Sequence, residues 1–454
     1  MLIRVVLNNI FSFGEEKEFN LIPHTRLKTL NHHKYDFNGF EVLKTSSIYG
    51  ANGAGKSNLV KCISLLQDLV IEENIPYKLR DSKFKFSSKK ENRNQIIGIE
   101  FFQGETPFYY AIEFNKDQII TEELYQSGLG TADDEIIFER KTDESEKTIL
   151  KFSQEFENDE KSQILKSILL EEFVSPYKPI LKLLANRENK FLALTKKAFN
   201  WFYETLQIIM PESRPSALAH RIDTDDELKR YAEELMRSFN IGISALKTEK
   251  KSLKEFFGED GEEEIAKWTK RVEKSPKKMI GISVGKGIEI VIVKEGKQIW
   301  VKNLLVEHTG KRKITAWFDV DEESDGTIRL LDFVPAFQDV IAQERVYLID
   351  EIERSIHPLL IRELVRKFSL DSNTKGQLIF TTHESNLLNQ ELFRQDEIWF
   401  AEKDKSGITD LYSLVDFKEH KTIDIRKGYL NGRYGSIPFL GNLQDLNWHQ
   451  YDLN

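Results

Sequence analysis

The chain has 454 residues, of which 40% are hydrophobic, and its 65 Lys and Arg against 74 Asp and Glu leave a net charge of −9. That composition supports a folded core, argues against wholesale disorder and against a general nucleic-acid coat, and leaves room for local basic patches. At about 150 residues per domain the length suggests three domains. A single cysteine, Cys62, excludes a disulfide framework and a cysteine-based zinc site and fits a reducing compartment. No stretch approaches the ~20 apolar residues that span a bilayer, so a soluble, cytoplasmic protein with no membrane role is expected.

Residues 2–7 read as an opening strand rather than a signal peptide, since a long apolar region and a small-residue cleavage site are both missing. Phe11-Ser12-Phe13-Gly14 punctuates the chain, and 18–22 reads as a second strand. Residues 43–49 end in a short β-like run, a Gly-rich loop follows, and 57–70 carries apolar residues at helical spacing. Cys62 falls on the apolar face of that helix and reads as core packing. Residues 96–102 and 108–114 read as strands joined across 103–107. From about 155 to 255 the texture turns helical, with amphipathic candidates at 162–173, 179–202 and 225–239. Oppositely charged neighbours at 259–264 and 267–278 read as an exposed tip. Strand texture returns at 280–284, 288–293 and 298–301. A helix at 330–342, a buried strand at 346–349, a helix at 357–368 and a buried strand at 377–381 then imply a parallel sheet covered on both faces. The expected organisation is α/β. Two halves of one head, residues 1–155 and 279–454, carry a mainly helical insertion at 156–278.

The strongest chemical signal is Gly50-Ala51-Asn52-Gly53-Ala54-Gly55-Lys56-Ser57, a complete G-x-x-x-x-G-K-[ST] between a strand and a helix. Its glycines allow backbone N–H groups to turn inward on a phosphate, and the helix that continues through Asn58 adds its positive end. Lys56 is expected at the β- and γ-phosphates and Ser57 at Mg²⁺. Val346-Tyr347-Leu348-Ile349-Asp350-Glu351 is an apolar strand ending in two carboxylates, a Walker B pattern. Asp350 would hold Mg²⁺ and Glu351 would polarise the attacking water as general base. Thr381-Thr382-His383 ends the next apolar strand, where a histidine can sense the γ-phosphate. Ser324-Asp325-Gly326-Thr327 opens a helix with a second phosphate-binding device, most suited to the nucleotide of a second subunit.

The run Asp350-Glu351-Ile352-Glu353-Arg354-Ser355-Ile356-His357-Pro358 looks like the Walker B and D-loop of ATPases related to SMC and RecF proteins. Together with the P-loop, Ser324–Thr327 and His383, it resembles the ATPase part of OLD-family (overcoming lysogenization defect) proteins. The RloA and AbiLi type, and the ATPase component of PARIS defence systems, are the nearer match. The stretches 381–389, 396–400 and 429–438 look like the same group. The resemblance implies an ABC/SMC-like P-loop ATPase head that binds ATP and Mg²⁺ and pairs head to tail, with Gly50–Ser57 of one copy facing Ser324–Thr327 of another. It further implies a sensor or regulator in anti-phage defence that controls a separately encoded effector of nuclease type and answers a phage-encoded trigger. ATP rather than GTP comes from the resemblance, because the P-loop grips phosphate and not base. The signature departs from the Leu-Ser-Gly-Gly of transporter ATPases, Gln103 is the nearest Q-loop candidate, and the 71 residues after His383 leave hardly any room for the C-terminal nuclease of OLD proteins.

Three other readings stand beside this one: a DNA-maintenance ATPase of RecF or SMC character, a scaffold with structural nucleotide, and a transporter ATPase. The intact Lys56, Asp350, Glu351 and His383 disfavour the scaffold, and the altered signature disfavours the transporter. Lys78, Arg80, Lys83, Lys85, Lys89, Lys90 and Arg93, with Phe84 and Phe86 among them, could hold nucleic acid but read better as a solvated loop. Gly428, Gly432 and Gly435 read as turns.

Overall fold

The computed structural model describes residues 1–73, 82–86, 93–115, 118–258, 261–284, 288–420 and 423–437. Lys78, Arg80, Lys89 and Lys90 of the basic run lie outside them. The chain divides by spatial contact into two units, Met1–Ile208 with Gln377–Asn454, and Ile209–Gly376. These breaks follow contact, whereas the divisions read at 155/156 and 278/279 follow changes of sequence texture. Both units mix strands and helices, as the α/β expectation has it.

In the first unit seven strands make an antiparallel sheet, in the order Thr148–Phe152, Glu135–Thr142, Ile119–Gln126, Thr106–Phe114, Gln95–Gln103, Leu2–Asn8 and Lys17–Asn20. Alternation drives it: Val5 faces Ile99 and Leu7 faces Ile97, and all four are buried. Glu122 and Arg140 are among the charged groups buried in this sheet. The Glu122 carboxylate accepts the N–H groups of Ile180 (2.8 Å) and Leu181 (3.0 Å), and the Tyr110 hydroxyl (3.0 Å). The Arg140 guanidinium donates to the carbonyls of Lys178 (2.6 Å) and Ser175 (2.7 Å) and stands 3.4 Å from Glu122. Burial raises the Glu122 pKa, against the pull of Arg140 and these donors. The pair satisfies the backbone of the turn leading into the helix Leu181–Ala185 and so fixes that turn on the sheet.

The same unit holds the strands that present the P-loop. Gln377–Thr381 runs parallel to Thr45–Tyr49, which runs parallel to Ile398–Lys403, and Thr409–Ser413 closes the edge antiparallel. Thr45–Tyr49 is buried throughout although Thr45, Ser46, Ser47 and Tyr49 all carry hydroxyls. Thr45 Oγ1 donates to the Leu378 carbonyl (2.8 Å) and Ser46 Oγ to the Glu397 carbonyl (3.1 Å). Gln377 links the two sheets, since its amide accepts from Leu2 N (2.7 Å) and donates to the carbonyls of Leu2 (3.0 Å) and Leu43 (2.8 Å).

In the second unit the strands Ile243–Ser252, Gln298–Thr309, Ile288–Glu295 and Met279–Val284 form an antiparallel sheet in that order, and Thr315–Asp319 also pairs with Gln298–Thr309. The segment read as an exposed charged tip is instead, from residue 262 on, the helix Glu262–Lys274, while Glu259 and Asp260 lie outside the described residues. Ile265, Trp268 and Val272 of that helix pack on Leu253, Ile290, Ile292 and Val301. Three apolar residues spaced three and four apart suffice for a docking face, although charge dominates the composition. The helices Asp325–Ala342 and Pro358–Leu370 flank the buried strand Val346–Ile349 in sequence.

Candidate functional site

The P-loop joins the strand Thr45–Tyr49 to the helix Lys56–Glu72. Leu59, Val60, Ile63, Leu66, Leu69 and Val70 bury that helix along one side, with Cys62 among them, so its N-terminus is held at the end of the parallel strands. Two glycines are required by geometry. A Cβ on Gly50 would lie 2.5 Å from the Ala401 carbonyl oxygen, and one on Gly55 (φ +110°) would run into the Thr409 side chain. Asn52 and Gly53 stand exposed at the tip, whereas Ala54, Gly55 and Lys56 are buried.

A chain of polar side chains pins the loop from beneath. Asn58 Nδ2 donates to Ser12 Oγ (2.7 Å), Ser12 Oγ lies 2.7 Å from Thr409 Oγ1, and Thr409 Oγ1 lies 2.9 Å from the Ala54 carbonyl oxygen. One hydroxyl proton cannot serve both of the Thr409 contacts. The consistent assignment has Ser12 donating to Thr409 and Thr409 donating to Ala54, which leaves every member satisfied. The Thr409 N–H also donates to the Ser12 carbonyl (2.7 Å). Sequence reasoning marked Ser12 only as punctuation and missed Thr409, and no local motif announces either.

The buried ammonium of Lys56 donates to the carbonyls of Gly50 (2.8 Å) and Ala51 (3.3 Å) and stands 2.9 Å from Nε2 of His383. Lysine has only donors, so the facing imidazole nitrogen accepts and is unprotonated in this arrangement. His383 is placed by the strand Gln377–Thr381 and by the Thr382 N–H donating to the Ile48 carbonyl (3.0 Å). The structure thus brings Gly50–Asn58 and His383 into one constellation inside the first unit. A glycine cradle, a helix N-terminus and a buried ammonium make a donor set that fits a polyphosphate.

The other sequence-read residues lie in the second unit. Asp350 is buried at the end of the strand Val346–Ile349, and its N–H donates to the Ile209 carbonyl (2.9 Å). Glu351 takes φ = +50°, a left-handed conformation that costs a side-chain-bearing residue about 1–2 kcal/mol. Ser324 caps the helix Asp325–Ala342: its Oγ accepts from Thr327 N (3.2 Å) and lies 2.9 Å from Thr327 Oγ1. Ser324 and Asp325 are exposed, and Thr327 is buried. The Ser355 carbonyl sits so close to Gly326 that a Cβ there would lie 2.6 Å from it. Signature and D-loop residues are therefore neighbours within this unit. Arg354 pairs with Glu212 (2.6 Å). Two turns along the helix Asp325–Ala342, burial lifts the Asp332 carboxyl to about 6, against the pull of its ion-pair partner Arg214.

Gln103 accepts a hydrogen bond from Thr205 Oγ1 (2.9 Å). Phe84, one of the two aromatics in the basic run, is buried against Gly14, while Phe86 is exposed. Gly432 and Gly435 take positive φ, and Gly428 lies against the Tyr434 ring, so the C-terminal glycines are turn and close-approach positions. They fold Tyr429 and Tyr434 onto Phe400, with stacked rings 5.8 and 5.6 Å apart. Among the described residues no group of three His, Cys, Asp or Glu side chains is placed to hold a metal ion, and no helix is long and apolar enough to cross a membrane.

No curated protein matches the chain. Among solved structures it is similar to an SMC head bound to the C-winged helix domain of ScpA, at 14% identity and a TM-score of 0.42, covering 91% of this chain and 97% of that one. It is also similar to the SMC head domain from Thermotoga maritima, at 11% identity and a TM-score of 0.38, covering 91% and 98%. A family model described as "AAA domain, putative AbiEii toxin, Type IV TA system" matches residues 46–389. That span runs from the P-loop strand past His383, and the chain belongs to this AAA-domain family.

Proposed function

We propose that this chain is an ATP-binding and ATP-hydrolysing regulatory subunit of a bacterial anti-phage defence system. The observation that carries the nucleotide part is Lys56 held between its own loop carbonyls and His383, at the N-terminus of the P-loop helix. In this reading the loop N–H groups and Lys56 bind and orient the β- and γ-phosphates. Ser57 and Asp350 are assigned to Mg²⁺, which supplies charge neutralisation on the phosphate oxygens. Glu351 takes the proton of the attacking water, and His383 reports the γ-phosphate to Lys56. The strained backbone at Glu351 supports a working rather than a structural carboxylate.

The assembly part of the proposal is a head-to-tail dimer in which Ser324, Asp325, Gly326 and Thr327 of one copy meet the nucleotide of another. The exposed, capped helix start at Ser324 supports it. ATP closes the pair, hydrolysis reopens it, and a separately encoded effector of nuclease type is held or released. The family description names a putative AbiEii toxin and a type IV toxin–antitoxin system; the phage-directed part of the proposal rests on the resemblance of the motifs to OLD-family and PARIS ATPases.

The test is phosphate release by the purified protein, with and without duplex DNA, together with phage challenge of a host carrying the native operon. DNA-independent hydrolysis, with protection lost in the Lys56→Ala strain, supports the proposal. Hydrolysis that depends on DNA, with phage sensitivity unchanged by Lys56→Ala, transfers the chain to a DNA-maintenance role.

A further inference from the structure

Every residue of the strand Thr315–Asp319 in the second unit is exposed. The strand pairs on one side with Gln298–Thr309, from Thr315↔Thr309 to Asp319↔Leu305. Among the described residues no strand pairs with its other side. All residues from 309 to 319 are exposed, including Ile314 at 67%, Trp317 at 41% and Phe318 at 37%. An exposed edge strand ordinarily carries lysine, proline or a bulge to prevent pairing with other chains. Thr315-Ala316-Trp317-Phe318-Asp319 carries none of these within the strand.

The flanks of this strand are charged with opposite sign. Lys311, Arg312 and Lys313 form the hairpin tip before it, all exposed. Asp321, Glu322 and Glu323 follow it, with Glu323 bonded to His308 (2.6 Å). About Trp317 the pattern is symmetric with its sign inverted. If two copies run antiparallel across a twofold at Trp317, the basic tip 311–313 of each copy comes to the end of the strand where the acidic turn 321–323 of the other lies. Thr315 then faces Asp319, Ala316 faces Phe318, and Trp317 faces Trp317. Large meets small, aromatic meets aromatic, and each basic tip covers the acidic turn of the other copy.

We propose that the outer edge of Thr315–Asp319 is a nucleotide-independent interface with a second copy of this chain, formed by antiparallel strand pairing. The occupant is identified by charge complementarity: the sequence around the edge is its own complement. A five-residue strand spans about 17 Å and is smaller than a standard interface, so the dimer is concentration-dependent. This contact differs from the head-to-tail arrangement, and both together would build assemblies larger than a pair.

Sedimentation velocity of the full chain without nucleotide, over a dilution series, tests this. The expected result is a species of twice the 53.0 kDa protomer that dissociates on dilution and at raised salt. A basic-to-acidic variant (Lys311→Glu, Arg312→Glu, Lys313→Glu) and an acidic-to-basic variant (Asp321→Lys, Glu322→Lys) should each weaken it by about tenfold or more, and their equimolar mixture should restore it. Lys56→Ala should leave it intact, which separates this inference from the ATPase proposal. A monomeric parent at all concentrations, a dimer that both variants retain, or folded variants whose mixture stays monomeric would overturn it. If either charge-reversed protein melts early, Trp317→Lys, at a side chain already exposed, reads the same interface: loss of the dimer supports the pairing and its retention overturns it.

Discussion

The ammonium of Lys56 lies 2.9 Å from Nε2 of His383, across 327 residues of sequence. The contact places the strand that ends in His383 in direct touch with the phosphate-binding loop. Lys56→Ala removes both the phosphate cation and the group that joins Gly50 and Ala51 to that strand. Binding of a fluorescent ATP analogue should be lost. His383→Ala leaves the lysine and the loop, so binding should survive while the turnover rate falls by about two orders of magnitude. Equal loss of binding in both variants would contradict the separate roles.

Glu351 combines a carboxylate at the end of a buried strand with a left-handed backbone. Glu351→Gln keeps the shape and the strain and removes the proposed base, so ATP should bind normally and turn over at least about a hundredfold more slowly. Glu351→Gly removes the base and relieves the strain. It should be equally inactive yet more stable by about 1 kcal/mol, read as a raised melting temperature. An inactive Glu351→Gly that melts no higher than Glu351→Gln would show that the backbone strain is not released at this position.

Thr409→Val preserves volume but strips the hydroxyl from the Ser12–Thr409–Ala54 chain. The buried Ser12 hydroxyl and Ala54 carbonyl then lose their partner, a cost of about 1–3 kcal/mol. Because Ala54 belongs to the P-loop, part of that cost should appear as weaker ATP binding, by roughly fivefold to fiftyfold in titration calorimetry. A fall in melting temperature with unchanged affinity would confine Thr409 to a folding role.

His33 and Glu397 form a fully buried pair, with Nδ1 3.0 Å from both carboxylate oxygens. Burial, then the charges of Lys44 and Arg394, push His33 down to about 4, and burial pushes Glu397 well above its ordinary value. The depressed His33 costs stability as pH falls from about 6.5 toward 4, because the unfolded imidazole takes up a proton that the folded one does not. The raised Glu397 acts in the opposite direction, because the folded carboxyl takes up its proton at a higher pH than the unfolded one. The two pH dependences therefore oppose each other. Glu397→Gln removes the compensating proton and leaves a neutral histidine that must charge on unfolding. That variant should lose stability, relative to the parent, as pH drops from 6.5 toward 4 in urea titrations. Parallel pH profiles would contradict the proton assignment.

Some of this molecule was legible because its chemistry is contiguous. Gly50–Ser57 presents successive backbone groups, so its spacing alone marks it as a P-loop, and a strand ending in Asp350-Glu351 is as local. The helix Glu262–Lys274 was misread because its charged residues outnumber the three that dock. Thr409 left no trace: a threonine opening an edge strand is ordinary until the fold sets it 2.7 Å from a serine 397 residues away.

The Gly-rich loop, the acidic strand end and the alternation of strands and helices could be read from the chain alone. Each is encoded in residues adjacent in the chain, where backbone geometry and side-chain period act directly. The fold, and no local segment, brings His383 to Lys56, anchors Ala54 through Ser12 and Thr409, and closes Ser355 on Gly326. It also makes Thr315–Asp319 an open edge. Such contacts depend on strand order and register, which are fixed by the joint burial of distant apolar faces rather than by any local segment.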